Sequence, residues 1–179
     1  MRILIEFLAF LAPYGTQSYF VMFGVLLLCG FGFPMPEDVV LISGGILSAR
    51  GITHFWMVNA VCMAGVLVGD GTIYFLGRRF GPAVKKLRPV RKLMSESMDQ
   101  RVAQIFMRHG DRVIFMARFM PGLRTPIFLT SGTYQVPAWK FFALDGFAAL
   151  ISVPLWVWVG RVFGENLEVL EQKIRQFQF

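Results

Sequence analysis

The stretch Phe31-Gly32-Phe33-Pro34-Met35-Pro36-Glu37-Asp38 constrains this chain more than any other. It lies between two apolar runs, residues 19–33 and 39–49. Neither run alone reaches the roughly 20 residues that a membrane-spanning helix needs. Pro34 and Pro36 cannot continue a helix, and each pushes the residue before it toward extended backbone. Two short apolar arms joined by a proline-acid tip predict a helical hairpin, residues 16–50, that enters a membrane and leaves by the same side. The alternative is two ordinary spans with an acidic loop outside the membrane. Backbone freed from a helix at bilayer depth survives only where protein or a wet cavity covers it. A carboxylate there costs about 2.5–3.5 kcal/mol on insertion scales, so Glu37 and Asp38 become candidate functional residues.

Composition supports the membrane reading. Of the 179 residues, 55% are hydrophobic, which predicts an integral membrane protein rather than a soluble globule. The net charge is +7, and ten of the 18 Lys and Arg residues fall in 78–112. That cluster lies between strongly apolar segments, so it predicts a cytoplasmic segment facing anionic lipid rather than a nucleic-acid site. Cys29 and Cys62 sit inside apolar runs, read as small core residues, and form no CxxC motif. With His54 and His109 isolated, the sequence supports no metal site and calls for no cofactor. Residues 1–13 resemble a weak signal peptide, but Glu6 interrupts the apolar core and no small-residue cleavage site follows, so retention is expected.

Along the chain, residues 3–12 predict a short interfacial helix. Residues 54–77 predict a full span, with Thr53 as its N-cap and with Trp56 and Tyr74 near its ends. Asp70 interrupts it about 12 Å from Arg78 along the helix, within or close to the membrane. Residues 95–109 predict an amphipathic cytoplasmic helix: Ser95 caps it, Met98, Val102, Ile105 and Phe106 make one stripe, and Gly110 stops it. Residues 113–135 form a second interrupted apolar region, broken by Arg118-Phe119-Met120-Pro121-Gly122-Leu123-Arg124. Residues 136–163 predict a second span, with Pro154 able to kink it, and 165–179 a short amphipathic tail.

The two interrupted regions resemble each other. Setting Pro34 against Pro121 places Glu37 opposite Arg124, Ser43 opposite Thr130 and Gly45 opposite Gly132. The spans end alike, in Gly77-Arg78-Arg79-Phe80-Gly81 and Gly160-Arg161-Val162-Phe163-Gly164. The predicted fold is a single all-α integral membrane domain. It is an inverted repeat of re-entrant helical hairpin plus transmembrane helix, with the amphipathic helix between the repeats. Broken helices meeting near the midplane are the general plan of secondary transporters.

In that plan the first tip carries Glu37 and Asp38 and the second carries Arg118 and Arg124. Opposed tips could pair these charges, as intramembrane ions require. A guanidinium offers a planar donor fork that suits phosphate. A carboxylate in low dielectric can carry a proton near neutral pH. Asp70 is expected to pair with Arg118 or Arg124 or to line the cavity, and Arg78 joins the set as a basic neighbour on its helix. The substrate- or proton-binding set is therefore Glu37, Asp38, Asp70, Arg78, Arg118 and Arg124. Pro34, Pro36, Gly44, Gly45, Pro121, Gly122 and Gly132 are its structural hairpin residues. The bland reading of the tip charges is a structural ion-pair network. Asp145 and Arg161 are expected at the interfaces.

Three ordered motifs carry a family resemblance. They are Pro34-x-Pro36-x-Asp38 with Gly44-Gly45, Gly69-Asp70-x3-Tyr74-x2-Gly77-Arg78-x2-Gly81, and Arg118-Phe119-x-Pro121-x2-Arg124. Over residues 20–164 the chain resembles the DedA family, the bacterial branch of the VTT or SNARE-associated superfamily. The resemblance implies two facing re-entrant hairpins in the bacterial cytoplasmic membrane and movement of lipids with anionic headgroups, undecaprenyl phosphate or phospholipid. Asp38 takes the place of the family's tip acid, and Arg118 and Arg124 match its arginine pair. Some members carry a further Glu in the first entry arm. Residues 19–33 here hold no acid, so proton coupling either fails or rests on Glu37, Asp38 and Asp70. The extra C-terminal helix of longer relatives is not expected.

The competing readings are a membrane scaffold without transport, a small-ion transporter and a lipid-phosphate enzyme. The last is disfavoured: Lys85 and Arg88-Pro89 echo part of a membrane phosphatase motif, but no Ser-Gly-His follows. Gly and Ala on the spans can serve internal packing or homo-oligomerisation.

Overall fold

The computed structural model describes residues 17–30, 37–81, 96–120 and 123–177, with backbone alone for 96–99 and 167–177. The described residues are helical and contain no strand. The helices are α1 (Ser18–Gly30), α2 (Glu37–Ala49), α3 (Phe55–Phe80), α4 (Glu96–His109), α5 (Val113–Ala117), α6 (Arg124–Thr133) and α7 (Ala138–Phe177). Two of them, α3 and the 29-residue stretch Ala138–Asn166 of α7, are long and apolar enough to cross a membrane. The arms α1 and α2 have 13 residues each, about 20 Å of helix, which is short of a span.

Local chemistry explains the ends. Glu37 and Asp38 occupy the first turn of α2, where the positive end of the helix dipole favours them. Arg78 and Arg79 close α3 at its negative end, and Gly81 follows at φ +52°. Gly110, at φ +58°, stops α4 as its position predicts.

Thr53 does not cap α3: its hydroxyl is buried without a hydrogen-bond partner, while the His54 amide donates to the Tyr19 hydroxyl at 2.8 Å. The helix that carries the second span does not end at Phe163: α7 continues without a break through Gly164 to Phe177. An interior glycine costs only about 1 kcal/mol, no proline follows, and Arg161 pairs with Glu165 one turn on at 3.0 Å. Pro154 lies within the same helix. The expected helix at 3–12, the Ser95 cap, Pro34, Pro36, Pro121 and Gly122 lie outside the described residues.

The chain divides into two compact units. The first comprises Met1–Leu26, Pro34–Gly65 and Ser152–Phe179. Its buried core includes Met22, Val40, Leu41, Leu47, Val58, Cys62, Val153 and Val157. Here α2 crosses α7 backbone to backbone. A methyl group on Gly45 would fall within 3.0 Å of the Val157 carbonyl and the Arg161 amide, and one on Gly160 would strike the Ile42 carbonyl. Apolar helices in lipid gain nothing from leaving water, so close approach of this kind holds them together.

The second unit comprises Leu27–Phe33 and Val66–Ile151. Tyr74 stacks on Phe141 at 4.4 Å, and Phe128 meets Phe141 edge-on at 5.1 Å. The amphipathic α4 seats Val102 and Phe106 in this core beside Ile114 and Ile127. Here α6 crosses α3. A methyl group on Gly132 would strike the Tyr74 carbonyl and the Arg78 amide, and one on Gly77 the Leu129 carbonyl.

The two crossings use corresponding positions. Val157, Gly160 and Arg161 meet Gly45 in one unit; in the other, Tyr74 and Arg78 meet Gly132 while Gly77 meets Leu129 and Thr133. Each glycine crossing joins an arm to the span from the other half of the sequence. Gly44, Gly45 and Gly132 lie within helices, at crossings or side-chain contacts.

Candidate functional site

The second unit contains a buried cluster of charges. Asp70 lies on α3, about 15 Å from the helix's C-terminal end. Asp145 lies on α7, Arg118 follows α5 directly, and Arg124 begins α6. The Arg118 Nη2 donates to Asp70 Oδ2 and to Asp145 Oδ1, each at 2.8 Å. Arg124 Nη2 donates to the same Asp70 oxygen. One carboxylate thus draws two guanidinium groups together, and one guanidinium draws two carboxylates together.

Burial divides the cluster. Arg118 is 1% exposed and Asp145 0%, so their pair is dry. Arg124 keeps 16% of its side chain exposed. Breaking a dry pair by removing one partner strands a charge and costs about 3–5 kcal/mol. Asp145 Oδ2 is itself buried without a hydrogen-bond partner. The Asp145–Arg118–Asp70 chain therefore fixes the geometry, while Arg124 reaches the surface of the cluster.

The sequence-derived residues fall in different places. Asp70, Arg118 and Arg124 come together, and both arginines are partners of Asp70. Arg78, the basic neighbour of Asp70 on the same helix, bonds elsewhere. Tyr74 stands between the two on α3 and captures the guanidinium: Arg78 Nη1 donates to the Tyr74 hydroxyl at 2.5 Å. Tyr74 in turn donates to the Val136 carbonyl at 2.5 Å, tying α3 to the start of α7. Glu37 and Asp38 are half-buried in the first turn of α2, in the other unit. Ser43 and Ser131 bond carbonyls one turn back on their own helices, at 2.6 Å to Val39 and 2.9 Å to Ile127.

Asp145 is the functional candidate that the sequence reading missed. Its place near the start of a span suggested the interface, yet it is fully buried in an ion pair. A signal was present: Asp70-Gly71 and Asp145-Gly146 are both acid-glycine pairs within apolar helix.

Two helices long and apolar enough to cross a membrane, α3 and α7, carry the carboxylates that hold the buried arginines, an arrangement consistent with a helical integral membrane protein. The chain belongs to the VTT domain family, the DedA family of bacterial membrane proteins. Residues 35–162 match the VTT domain, and all four members of the charge cluster fall inside that range. The chain is 40% identical to an uncharacterized membrane protein of Haemophilus influenzae over 97% of its own length and 84% of that protein's. It is 28% identical to protein DedA of Escherichia coli K12, covering 89% and 77%. An inner membrane protein of Borreliella burgdorferi is 26% identical over 89% and 76%. No solved structure matches the chain.

Proposed function

We propose that this protein is a lipid transporter, without enzymatic activity, that passes the anionic headgroup of undecaprenyl phosphate or a phospholipid across the bacterial cytoplasmic membrane. The carrying observation is Arg124, partly exposed at the first turn of α6 and held by Asp70 while Arg118 is locked between two carboxylates. A guanidinium binds phosphate through two parallel hydrogen bonds, and a helix N-terminus adds a field of the same sign. An arriving phosphate competes with Asp70 for Arg124. Asp70 keeps Arg118, so the cluster stays paired while the headgroup is held.

The same reading takes residues 16–50 and 113–135 as re-entrant hairpins of an inverted repeat, with 78–112 on the cytoplasmic side. Glu37, Asp38 and Asp70 are the acids available for proton exchange, and Arg78 braces α3 through Tyr74.

The test is headgroup translocation by purified protein in liposomes. Polyprenyl phosphate and phospholipid are compared, each with and without a pH gradient. Arg124→Ala abolishes translocation of the transported lipid, and Arg124→Lys retains part of it. Unchanged rates in Arg124→Ala would remove the assigned site. Phosphate release from the lipid would replace transport with hydrolysis.

A further inference from the structure

A groove of about 1010 Å³ runs along the C-terminal half of α3, and its described lining includes no member of the charge cluster. Leu67, Val68, Gly71, Phe75 and Leu76 line it, with Phe142 of α7. Val68 and Phe75 remain half exposed. Thr72 also lies in the groove, but its hydroxyl donates to the Val68 carbonyl at 2.7 Å, so its one donor is used within the helix. The wall therefore offers an occupant apolar contact and almost no polar competition. At the end of α3 the lining changes to Arg78, Arg79 and Phe80. Both arginines are exposed at the rim, and Arg78 is tied to Tyr74.

From this arrangement we infer that the groove is a binding site for one anionic phospholipid, with an acyl chain against Val68, Thr72 and Phe75 and the phosphate on Arg79. The dimensions agree. Residues 67–80 span about 20 Å of helix, which is on the order of one leaflet of a hydrocarbon core about 30 Å thick. The cations stand at the end of a spanning helix, where headgroups lie, and basic recesses between such helices select anionic lipid. Neither Arg79 nor Thr72 belongs to the proposed transport site, so this inference stands apart from that reading.

Native mass spectrometry of the full chain in detergent, offered phosphatidylglycerol or phosphatidylcholine, tests it. The wild type retains phosphatidylglycerol in preference. Arg79→Gln lowers that retention about fivefold, the effect of one basic residue near a headgroup, and Arg79→Lys restores it. Thr72→Trp fills the groove from its open side and loses the retained lipid while headgroup translocation persists. Equal retention of the two lipids by the wild type would mean a non-selective lipid annulus and overturn the proposal. So would phosphatidylglycerol retention unchanged in both Arg79→Gln and Thr72→Trp, or crosslinking of position 75 to a second copy of the chain.

Discussion

The two units share one scaffold and differ at its centre. In each, a glycine on a short arm crosses a spanning helix at equivalent positions, Gly45 on Val157 and Arg161, Gly132 on Tyr74 and Arg78. Carrying the same spacing along the spans places Val153 opposite Asp70 and Cys62 opposite Asp145. Val153 and Cys62 are fully buried, so the first unit closes over apolar side chains where the second holds two carboxylates. Glu37 begins the arm in one unit and Arg124 in the other. A helix crossing of this type therefore does not require buried ions. Ion pairs in low dielectric are at best weak contributors to stability, and charges within a membrane protein mark function by default. The contrast supports reading the second unit's charges as kept for chemistry rather than for folding.

Breaking the ionic centre alone is expected to have the largest effect. Arg118→Ala leaves Asp145 without its guanidinium and should cost about 3–5 kcal/mol, read as a lower thermal midpoint in detergent. Val153→Ala in the first unit strands no charge and should cost far less, about 1–3 kcal/mol. Similar losses from the two would erase the distinction between the centres.

The shared crossing can be broken in either unit. Gly45→Leu and Gly132→Leu each drive a side chain into a carbonyl of the facing helix and should cost about 3 kcal/mol apiece. The stability of each variant in the same detergent checks this. A tolerated leucine in one unit would show that the crossings are not equivalent.

The smallest effect separates the two arginines at the crossings. Tyr74→Phe removes the hydroxyl between Arg78 and Val136 and should cost about 1 kcal/mol, with translocation intact. Arg161 has no such bridge; it pairs with Glu165 and lies over Phe55. Val157→Thr at the matching position should therefore gain nothing. Loss of translocation in Tyr74→Phe would instead bring Arg78 into the transport site.

The helices were legible in the sequence because the signals are local. Gly110 and the apolar run of α3 each act within a few residues. The correspondence of Gly45 with Gly132 and of Gly77 with Gly160 was also legible, since alignment needs only spacing. Their contact partners were not, because nothing in the chain order says that α2 meets α7 and α6 meets α3. Asp145 was misplaced for the same reason: counting from the end of a span puts it near the interface, while Arg118, arriving from a distant segment, makes its burial possible. Arg78 and Asp70, eight residues apart, stand about 80° apart around the helix, and Tyr74 between them takes the Arg78 guanidinium. α7 runs on through Gly164, which lacks the left-handed turn that marks Gly81 and Gly110.

The most direct measurement gives the second unit an apolar centre like the first. A variant carrying Asp70→Val, Asp145→Cys, Arg118→Met and Arg124→Met removes all four charges together, so that no ion pair within the cluster loses only one of its partners. Its thermal midpoint should stay at or above that of the unaltered protein, and its headgroup translocation in proteoliposomes should vanish. A variant that unfolds, or one that still moves lipid at the original rate, would contradict the assignment of these charges to transport.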